Sequence, residues 1–203
     1  MSGGMRKILL ATSNPGKLRE VRDFLSGLGV RVVGMEELPG APEVEEDGQS
    51  FLENARKKAH ALASRFGCPA LADDSGLEVE ALGGLPGVRS ARFAGEKATD
   101  EENNRKLLEA LKGVGAGGRR ARFRCVMVLA TPDGGEWVSE GEWEGEIALT
   151  PRGASGFGYD PLFLLPDRGK TVAELPLDEK NRMSHRAQAL RGMRDAIIRV
   201  LGL

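Results

Sequence analysis

Cysteine is scarce in this chain of 203 residues, and long apolar runs are missing from it. The two cysteines, Cys68 and Cys125, are too few for a disulfide framework, and both stand in apolar contexts, so we expect buried, reduced thiols. The apolar run from Ile8 to Ala11 is too short for a signal-peptide core, and no stretch is long enough to span a membrane. These absences predict a cytoplasmic protein with no membrane partner.

An excess of charge of one sign is also missing. The chain has 29 Lys and Arg against 30 Asp and Glu, which gives a formal net charge of −1. Without a basic excess, broad binding to nucleic acid is not expected, and any nucleotide-like ligand should be small. No repeat or linker divides the sequence, so residues 1–203 are expected to bury a full core as a single domain or as two closely packed lobes.

Strand and helix patterns alternate along the chain. Apolar runs and period-two alternation predict strands over 7–11, 30–34, 69–72, 77–82, 119–131, 136–144 and 162–165. Helices are predicted from Lys17, from a capping box at Ser50 to Gly67, from a second capping box at Thr99 to Gly113, and from Ser184 onward. This alternation favours an α/β fold.

Two adjacent acids, Asp73 and Asp74, follow a short apolar run and are expected at the end of a buried strand. Neighbouring carboxylates repel each other, so such a pair needs a cation, a proton or a divalent metal. The acidic run from Glu43 to Asp47 could be a second part of that site or a plain solvated surface. On the helix that follows it, Asn54 and Lys58 lie one turn apart and could face a common ligand or the solvent.

Two loops have the composition of ligand sites. The first, Thr12 to Gly16 with Lys17 beside it, joins a strand to a helix, where backbone N–H groups can hold an anion; it could also be an ordinary tight connection. The second, Arg152 to Pro161, interleaves glycines with Phe157 and Tyr159 and suits a cradle for a flat ring, although a plain glycine loop with core aromatics has the same composition.

The remaining charged groups allow structural or binding roles. His185 and Arg186 fall in the first turn of the last helix, where the helix dipole disfavours cations, so an anionic ligand would explain their position. His60 lies mid-helix with no expected partner and is interpreted as surface or structural. Arginines of the 119–131 strand should pair with glutamates across a hairpin, and an exposed aromatic on that hairpin would suit a dimer surface.

Together these groups suit a nucleoside triphosphate and a divalent metal. Acids favour metal, and basic groups favour phosphate. The sequence has no Walker motif, no kinase signature and no Rossmann fingerprint, and its histidines and cysteines lack zinc-ligand spacing. Water is therefore the simplest acceptor for a phosphoryl group.

In several motifs the chain resembles the inosine triphosphate pyrophosphatases. The motifs that carry the resemblance are TSNPGK (12–17), FLENA (51–55), ADDSGL (72–77), LGGLPG (82–87), SAR (90–92), GFGYDP (156–161), EKN (179–181) and SHRA (184–187). The resemblance implies Mg²⁺-dependent hydrolysis of ITP, dITP and XTP to the monophosphate and pyrophosphate, which cleanses the nucleotide pool. It also implies a homodimer of α/β subunits, each with a long mixed β-sheet flanked by helices and two lobes with a central active-site groove.

The resemblance also assigns residue roles. Asp74 would be the catalytic carboxylate and a metal ligand, Asp73 its support, and Glu46 the second metal-site acid, with Glu45 as the alternative. Substrate binding would fall to Thr12, Ser13, Asn14, Pro15, Gly16, Lys17, Lys58 and Ser75. The purine would be held by Phe157, Gly158, Tyr159 and Asp160, and its 6-oxo edge would be read by Lys180, His185 and Arg186.

Two other functions remain open from the residues. A pyrophosphatase for modified pyrimidine nucleotides would share the lysine loop and the acids but lack the Ser-His-Arg segment at 184–186. A nucleotide sensor that binds without cleaving would have no need of the Asp73-Asp74 pair, since extra negative charge opposes the binding of an anion.

Overall fold

The computed structural model describes residues 6–203. Its strands are β1 (Arg6–Leu10), β2 (Val30–Gly34), β3 (Ala70–Val79), β4 (Arg120–Ala130), β5 (Glu136–Ile147), β6 (Phe163–Leu165) and β7 (Lys170–Thr171). Its α-helices are α1 (Pro15–Leu25), α2 (Phe51–Phe66), α3 (Asp100–Ala110), α4 (Leu177–Met183) and α5 (His185–Leu201). Within this described range, no helix has both the length and the apolar character needed to cross a membrane.

The seven strands form one mixed sheet in the order β2-β1-β3-β4-β5-β6-β7. Strand β1 runs parallel to both β2 and β3, whereas β6 is antiparallel to β5 and β7. The predicted mixed α/β architecture is confirmed.

Local capping explains where the helices begin. The side chains of Asn14, Ser50 and Thr99 each accept a hydrogen bond from a backbone N–H in the first turn, at the starts of α1, α2 and α3. Such caps satisfy donors that have no partner inside the helix. The two predicted capping helices, after Ser50 and Thr99, are confirmed.

The chain divides into two compact units, and unit 1 comprises residues 6–74, 125–141 and 186–203 of the described range. Successive side chains of a strand point to opposite faces of its sheet. On β1, accordingly, Ile8 and Leu10 join a core cluster with α1 and α5, while Leu9 joins a second cluster with α2. Unit 1 therefore has a helix-covered core on each face of its strands.

Unit 2 comprises residues 75–124 and 142–185 and has its own core. That core is built from Leu77, Val79, Leu107, Leu111, Ala121, Phe123, Trp143, Ile147, Tyr159, Leu162, Phe163, Leu165, Val172 and Leu175. At its surface Arg122 and Arg124 form ion pairs with Glu142, which confirms the predicted pairing across the hairpin, and with Glu78.

The structure corrects the prediction around the acidic pair. Instead of one strand ending at Asp73 and another beginning at Leu77, a single ten-residue strand, β3, runs through both. Ser75 and Gly76 are residues typical of strand breaks, yet the strand continues through them, with β1 paired to its first residues and β4 as its neighbour on the other side. The acids therefore lie in mid-strand.

Other local expectations were also wrong. The short helix α4, which carries Lys180, was not predicted. No tryptophan of the hairpin is fully exposed, because Trp137 packs partly buried against the unit 1 core and Trp143 is 9% exposed. Cys125 is buried as expected, but Cys68 is only partly so. His60 has a partner after all, since its Nε2 lies 2.9 Å from Glu136 Oε2.

Candidate active site

Strand alternation sends the two adjacent aspartates to opposite faces of the sheet. Asp73 lies on the same face of β3 as Leu71, whose side chain belongs to the core cluster that includes residues of α1 and α5. Asp74 has the same parity as Ala72, which packs with α2. The pair is therefore separated by backbone geometry, and each carboxylate has its own surroundings.

Asp73 belongs to a buried ion network in unit 1. Its Oδ2 lies 2.9 Å from Lys17 Nζ on α1, and 3.3 and 3.2 Å from Nε and Nη2 of Arg186 on α5. Arg186 also donates to Glu20 on α1. The side chain of Asp73 is 0% exposed, so these contacts form away from water, where charge pairs are strong and broken pairs are costly.

Asp74 faces helix α2. Its Oδ2 accepts a hydrogen bond of 2.8 Å from Asn54 Nδ2. One turn further along α2, Lys58 Nζ donates to Glu46 Oε1 at 2.9 Å and to the Asp73 carbonyl at 2.7 Å. Asn54 and Lys58 are therefore buried against acidic residues and do not face the solvent.

The two aspartates have opposite pKa shifts. Burial by itself raises the pKa of Asp73, but Lys17, Arg186 and Lys58 outweigh it and hold that pKa far below its usual value. For Asp74 burial prevails over the attraction of Lys58 and Lys17, and the nearby charge of Glu46 adds to it, so the pKa is raised. Asp73 is thus a fixed anion, whereas Asp74 has the greater affinity for a proton.

The residues around Asp74 fit a magnesium ion. Among residues 6–203, no three or more His, Cys, Asp or Glu side chains are grouped so as to hold a metal. Mg²⁺ needs fewer, since it is commonly bound through one or two carboxylates together with substrate phosphates and water. Asp74 and Glu46 supply two such carboxylates. Burial is the main cause of the raised pKa of Asp74 and the charge of Glu46 adds to it, so a divalent cation would stabilise the charged form of Asp74. Glu46 contacts Lys58, whereas Glu45 is exposed, which favours Glu46 as the second acid.

The loop after β1 is folded by its own side chains. Thr12 Oγ1 accepts from the Asn14 backbone N–H at 3.1 Å, and Asn14 Oδ1 accepts from the Lys17 backbone N–H at 3.0 Å. Pro15 occupies the first turn of α1, where its missing N–H costs nothing. Ser13 is exposed and Gly16 partly buried. The loop therefore presents Lys17 at the start of α1, with its side chain 15% exposed beside Asp73.

The predicted ring cradle lies in unit 2 and is closed by a buried ion pair. Lys180 Nζ lies 2.6 Å from Asp160 Oδ2 and 4.4 Å from the centroid of the Phe157 ring. Asp160 Oδ2 also accepts from the Phe157 backbone N–H at 3.0 Å. Gly156 is required here, because a Cβ at that position would stand 2.0 Å from Asp160 Oδ2. Tyr159 is a buried support, its hydroxyl donating to the Ser90 carbonyl at 2.8 Å.

The segment 184–186 is divided between the units. In unit 2, His185 is 6% exposed, and its ring stacks on Phe123 at 4.8 Å between centroids. In unit 1, Arg186 is 1% exposed and is paired with Asp73 and Glu20. Ser75 is partly buried in β3 directly after Asp74. For the base-reading role predicted for Arg186, its guanidinium would have to release carboxylates that it contacts in this structure.

Two residues of the acidic site were not assigned from the sequence. Asn54 is fully buried against Asp74, and its spacing from Lys58 was the available signal. Glu20 gave no signal, because its partner Arg186 lies 166 positions away along the chain.

Comparison with known proteins identifies a family with this mixed α/β fold. Residues 8–196 match the model of the Ham1 family. A HAM1 protein from Coxiella burnetii has a solved structure with a TM-score of 0.86 and 44% identity, which covers 96% of this chain and 100% of that one. The chain therefore has the mixed α/β fold of the Ham1 proteins.

Sequence comparison gives the same family. The chain is 52% identical over 191 residues to a protein of Geobacter sulfurreducens named dITP/XTP pyrophosphatase, covering 94% of this chain and 96% of that protein. It is 55% identical over 186 residues to a protein of the same name from Methylococcus capsulatus, covering 91% and 92%. The protein belongs to the Ham1 family.

Proposed function

We propose that this protein is a nucleoside triphosphate pyrophosphatase that hydrolyses ITP, dITP and XTP to the monophosphate and pyrophosphate. This activity is supported by the relatives named dITP/XTP pyrophosphatase, whose sequences are 52% and 55% identical to this one over 94% and 91% of the chain. The observation that carries the proposal is the pair of acids on β3, because Asp73 is neutralised by Lys17 and Arg186 whereas Asp74 contacts the neutral amide of Asn54.

Asp74 acts as the general base. Its carboxylate takes a proton from water, the water oxygen forms a bond to phosphorus, and the α–β phosphoanhydride bond breaks, with its electron pair leaving on pyrophosphate. A carboxylate can act as a general base when it lies within hydrogen-bond reach of the water whose proton it takes. Asn54 holds the carboxylate in place through its hydrogen bond to Oδ2.

The lysines bind the negative charge of the triphosphate. Lys17 on α1 and Lys58 on α2 both act electrostatically on Asp74, so phosphates bound by them lie beside the base. Asp74 and Glu46 would hold Mg²⁺, which when bound neutralises charge on the phosphate oxygens.

Unit 2 supplies recognition of the base. Phe157 offers a ring face, and Lys180 and His185 offer donors to the oxygen at position six of hypoxanthine or xanthine. Adenine carries an amino donor there, so a cationic donor would face another donor and lose its hydrogen bond. Discrimination on this ground can be large, because it leaves a buried polar group without a partner.

A substrate panel with product identification tests this function. With Mg²⁺ present, purified protein should release pyrophosphate, and not orthophosphate, from ITP and XTP far faster than from ATP. Comparable rates on all three nucleotides would refute the specificity, and orthophosphate as the product would refute the reaction. A modified pyrimidine triphosphate belongs in the panel, because faster hydrolysis of it would establish the rival pyrophosphatase.

The same proposal includes a homodimer. It is supported by the family motifs of the sequence, and light scattering coupled to size-exclusion chromatography should give twice the chain mass. A monomer at assay concentration would contradict it.

A further inference from the structure

The loop that carries the proposed base-binding ring is held from outside by helix α3. The Gly158 backbone N–H donates to Asp100 Oδ2 at 2.6 Å, and the Gly158 carbonyl accepts from Asn104 Nδ2 at 2.9 Å. Asp100 and Asn104 lie four positions apart, on one face of α3, so a single helix face holds both polar groups of one glycine.

The backbone at Gly158 needs such support. Its φ of +61° lies in the left-handed region, which L residues rarely adopt. Phe157 precedes this glycine directly, so the rotation of the Gly158 peptide sets where the Phe157 ring stands. Lys180 Nζ lies over that ring, 4.4 Å from its centroid. The position of the ring therefore depends on α3 as well as on the Asp160–Lys180 pair.

Asn104 is buried for this contact. It is 8% exposed, and within the described part of the chain its Oδ1 accepts no hydrogen bond. A buried amide whose acceptor is unsatisfied carries a cost, which the bond from Nδ2 to Gly158 offsets. Exchanging the amide atoms would set Oδ1 against the Gly158 carbonyl oxygen, so the orientation is fixed.

The start of the helix places the second contact. Thr99 caps α3 in a capping box with Glu102, and Asp100 is the first helical residue. A carboxylate is favoured there by the helix dipole and can accept a strong hydrogen bond from a backbone N–H. Asp100 is exposed, so its bond to Gly158 should contribute less than the buried bond of Asn104.

We propose that Asp100 and Asn104 are positioning residues that orient the 157–160 loop and thereby set selectivity for the purine base. This inference rests on the proposed function, because the selectivity it explains is that between ITP and ATP. Neither residue needs to touch the nucleotide, since both act through Gly158.

The test compares kcat and KM for ITP and ATP in the wild-type protein and in variants of α3. Asn104→Ala should raise KM for ITP about tenfold and leave kcat nearly unchanged, since a misplaced ring weakens binding and not proton transfer. The ratio of kcat/KM for ITP to that for ATP should fall by a similar factor. Asn104→Asp, which keeps the shape but offers no donor when ionised, should behave at least as badly.

Asn103→Ala is the matched control. Asn103 is 3% exposed on the same helix, but its hydrogen bonds go to Ala91 and Ala94 and not to the loop. It should lower the thermal midpoint comparably and leave the ITP to ATP ratio unchanged. An equal fall of that ratio in Asn103→Ala would overturn the proposal, because it would reduce the effect to general destabilisation.

Asp100 provides a second route should Asn104→Ala fold poorly. Asp100→Ala should lower the ratio about twofold to threefold, and Asp100→Asn, which retains an acceptor, should restore it. If the wild type is selective and both Asp100→Ala and Asn104→Ala keep its KM and ratio, the positioning role is refuted and the proposed function stands. A wild type without selectivity between ITP and ATP would refute the proposed function and this inference together.

Discussion

Replacing each aspartate of β3 by asparagine should separate stability from catalysis. Asp73→Asn and Asp74→Asn make the same chemical change at adjacent positions, so each is the control for the other. Asp73 meets Lys17 at 2.9 Å and Arg186 at 3.2 Å with its side chain 0% exposed. Asp74 meets the neutral amide of Asn54.

The expected magnitudes differ because the surroundings differ. Removing one partner of a buried ion pair costs about 3–5 kcal/mol, since the remaining charge stays buried without compensation. Asp73→Asn leaves two such cations, so a loss of about 3–5 kcal/mol or more in the free energy of unfolding is expected. At Asp74 burial disfavours the charge, and asparagine can still accept from Asn54, so a change below about 1 kcal/mol is expected.

Urea unfolding and pyrophosphate release measure the two effects. Asp73→Asn should lower the urea midpoint strongly at an unchanged m-value. Asp74→Asn should keep the midpoint and abolish turnover, while much of the nucleotide affinity remains. Equal midpoints for the two variants would refute the division of the pair, and near wild-type hydrolysis by Asp74→Asn would refute its role as base.

The pH dependence follows from the lowered pKa of Asp73. A carboxylate whose pKa is lower in the folded state stabilises the protein above its unfolded pKa of about 3.9, and this stabilisation is lost as pH falls towards the folded pKa. The difference in the free energy of unfolding between the wild type and Asp73→Asn should therefore be constant between about pH 6 and about pH 8, and it should shrink below about pH 4. A gap that widens in acid would contradict the assignment of Asp73 as the paired anion.

Two further predictions concern the cradle of unit 2. Lys180→Met leaves the buried carboxylate of Asp160 without its cation, so it should lower the free energy of unfolding by about 3–5 kcal/mol and reduce selectivity for ITP. Adding Asp160→Asn should recover part of the lost stability in a double-mutant cycle measured by urea unfolding. Gly156→Ala places a Cβ 2.0 Å from Asp160 Oδ2 and should raise KM for ITP with little change in kcat, whereas Gly83→Ala, with open space at its Cβ and a similar positive φ, is the control in the same kinetic assay.

Local signals in the sequence predicted the helices well and the acidic strand poorly. The capping residues Ser50 and Thr99 act within one helical turn, so their pattern can be read from a few positions. Helix α4 has no side-chain cap and only seven residues, too few for an apolar period to show. The continuity of β3 depends on its place in the sheet beside β4, which the local pattern at Ser75 and Gly76 does not contain.

The residues of the site could be predicted from the sequence, but the contacts between them could not. Lys17, Asp73, Lys58 and Glu46 were all candidates from the sequence, and the structure brings them together in unit 1. Which acid faces which cation follows from the alternation of a continuous β3. Once that strand is divided at Ser75, the argument from alternation is lost.

Arg186 shows how a buried partner changes the meaning of a sequence signal. A cation in the first turn of α5 opposes the helix dipole, which favoured an anionic ligand. In the structure, anions of the chain itself are present, since the guanidinium contacts Asp73 and Glu20. Arg186→Met should therefore lower the free energy of unfolding by about 3–5 kcal/mol, and Glu20→Gln added to it should recover part of that loss. If Arg186 served the base alone, Arg186→Met would raise KM for ITP and leave the urea midpoint where it is in the wild type.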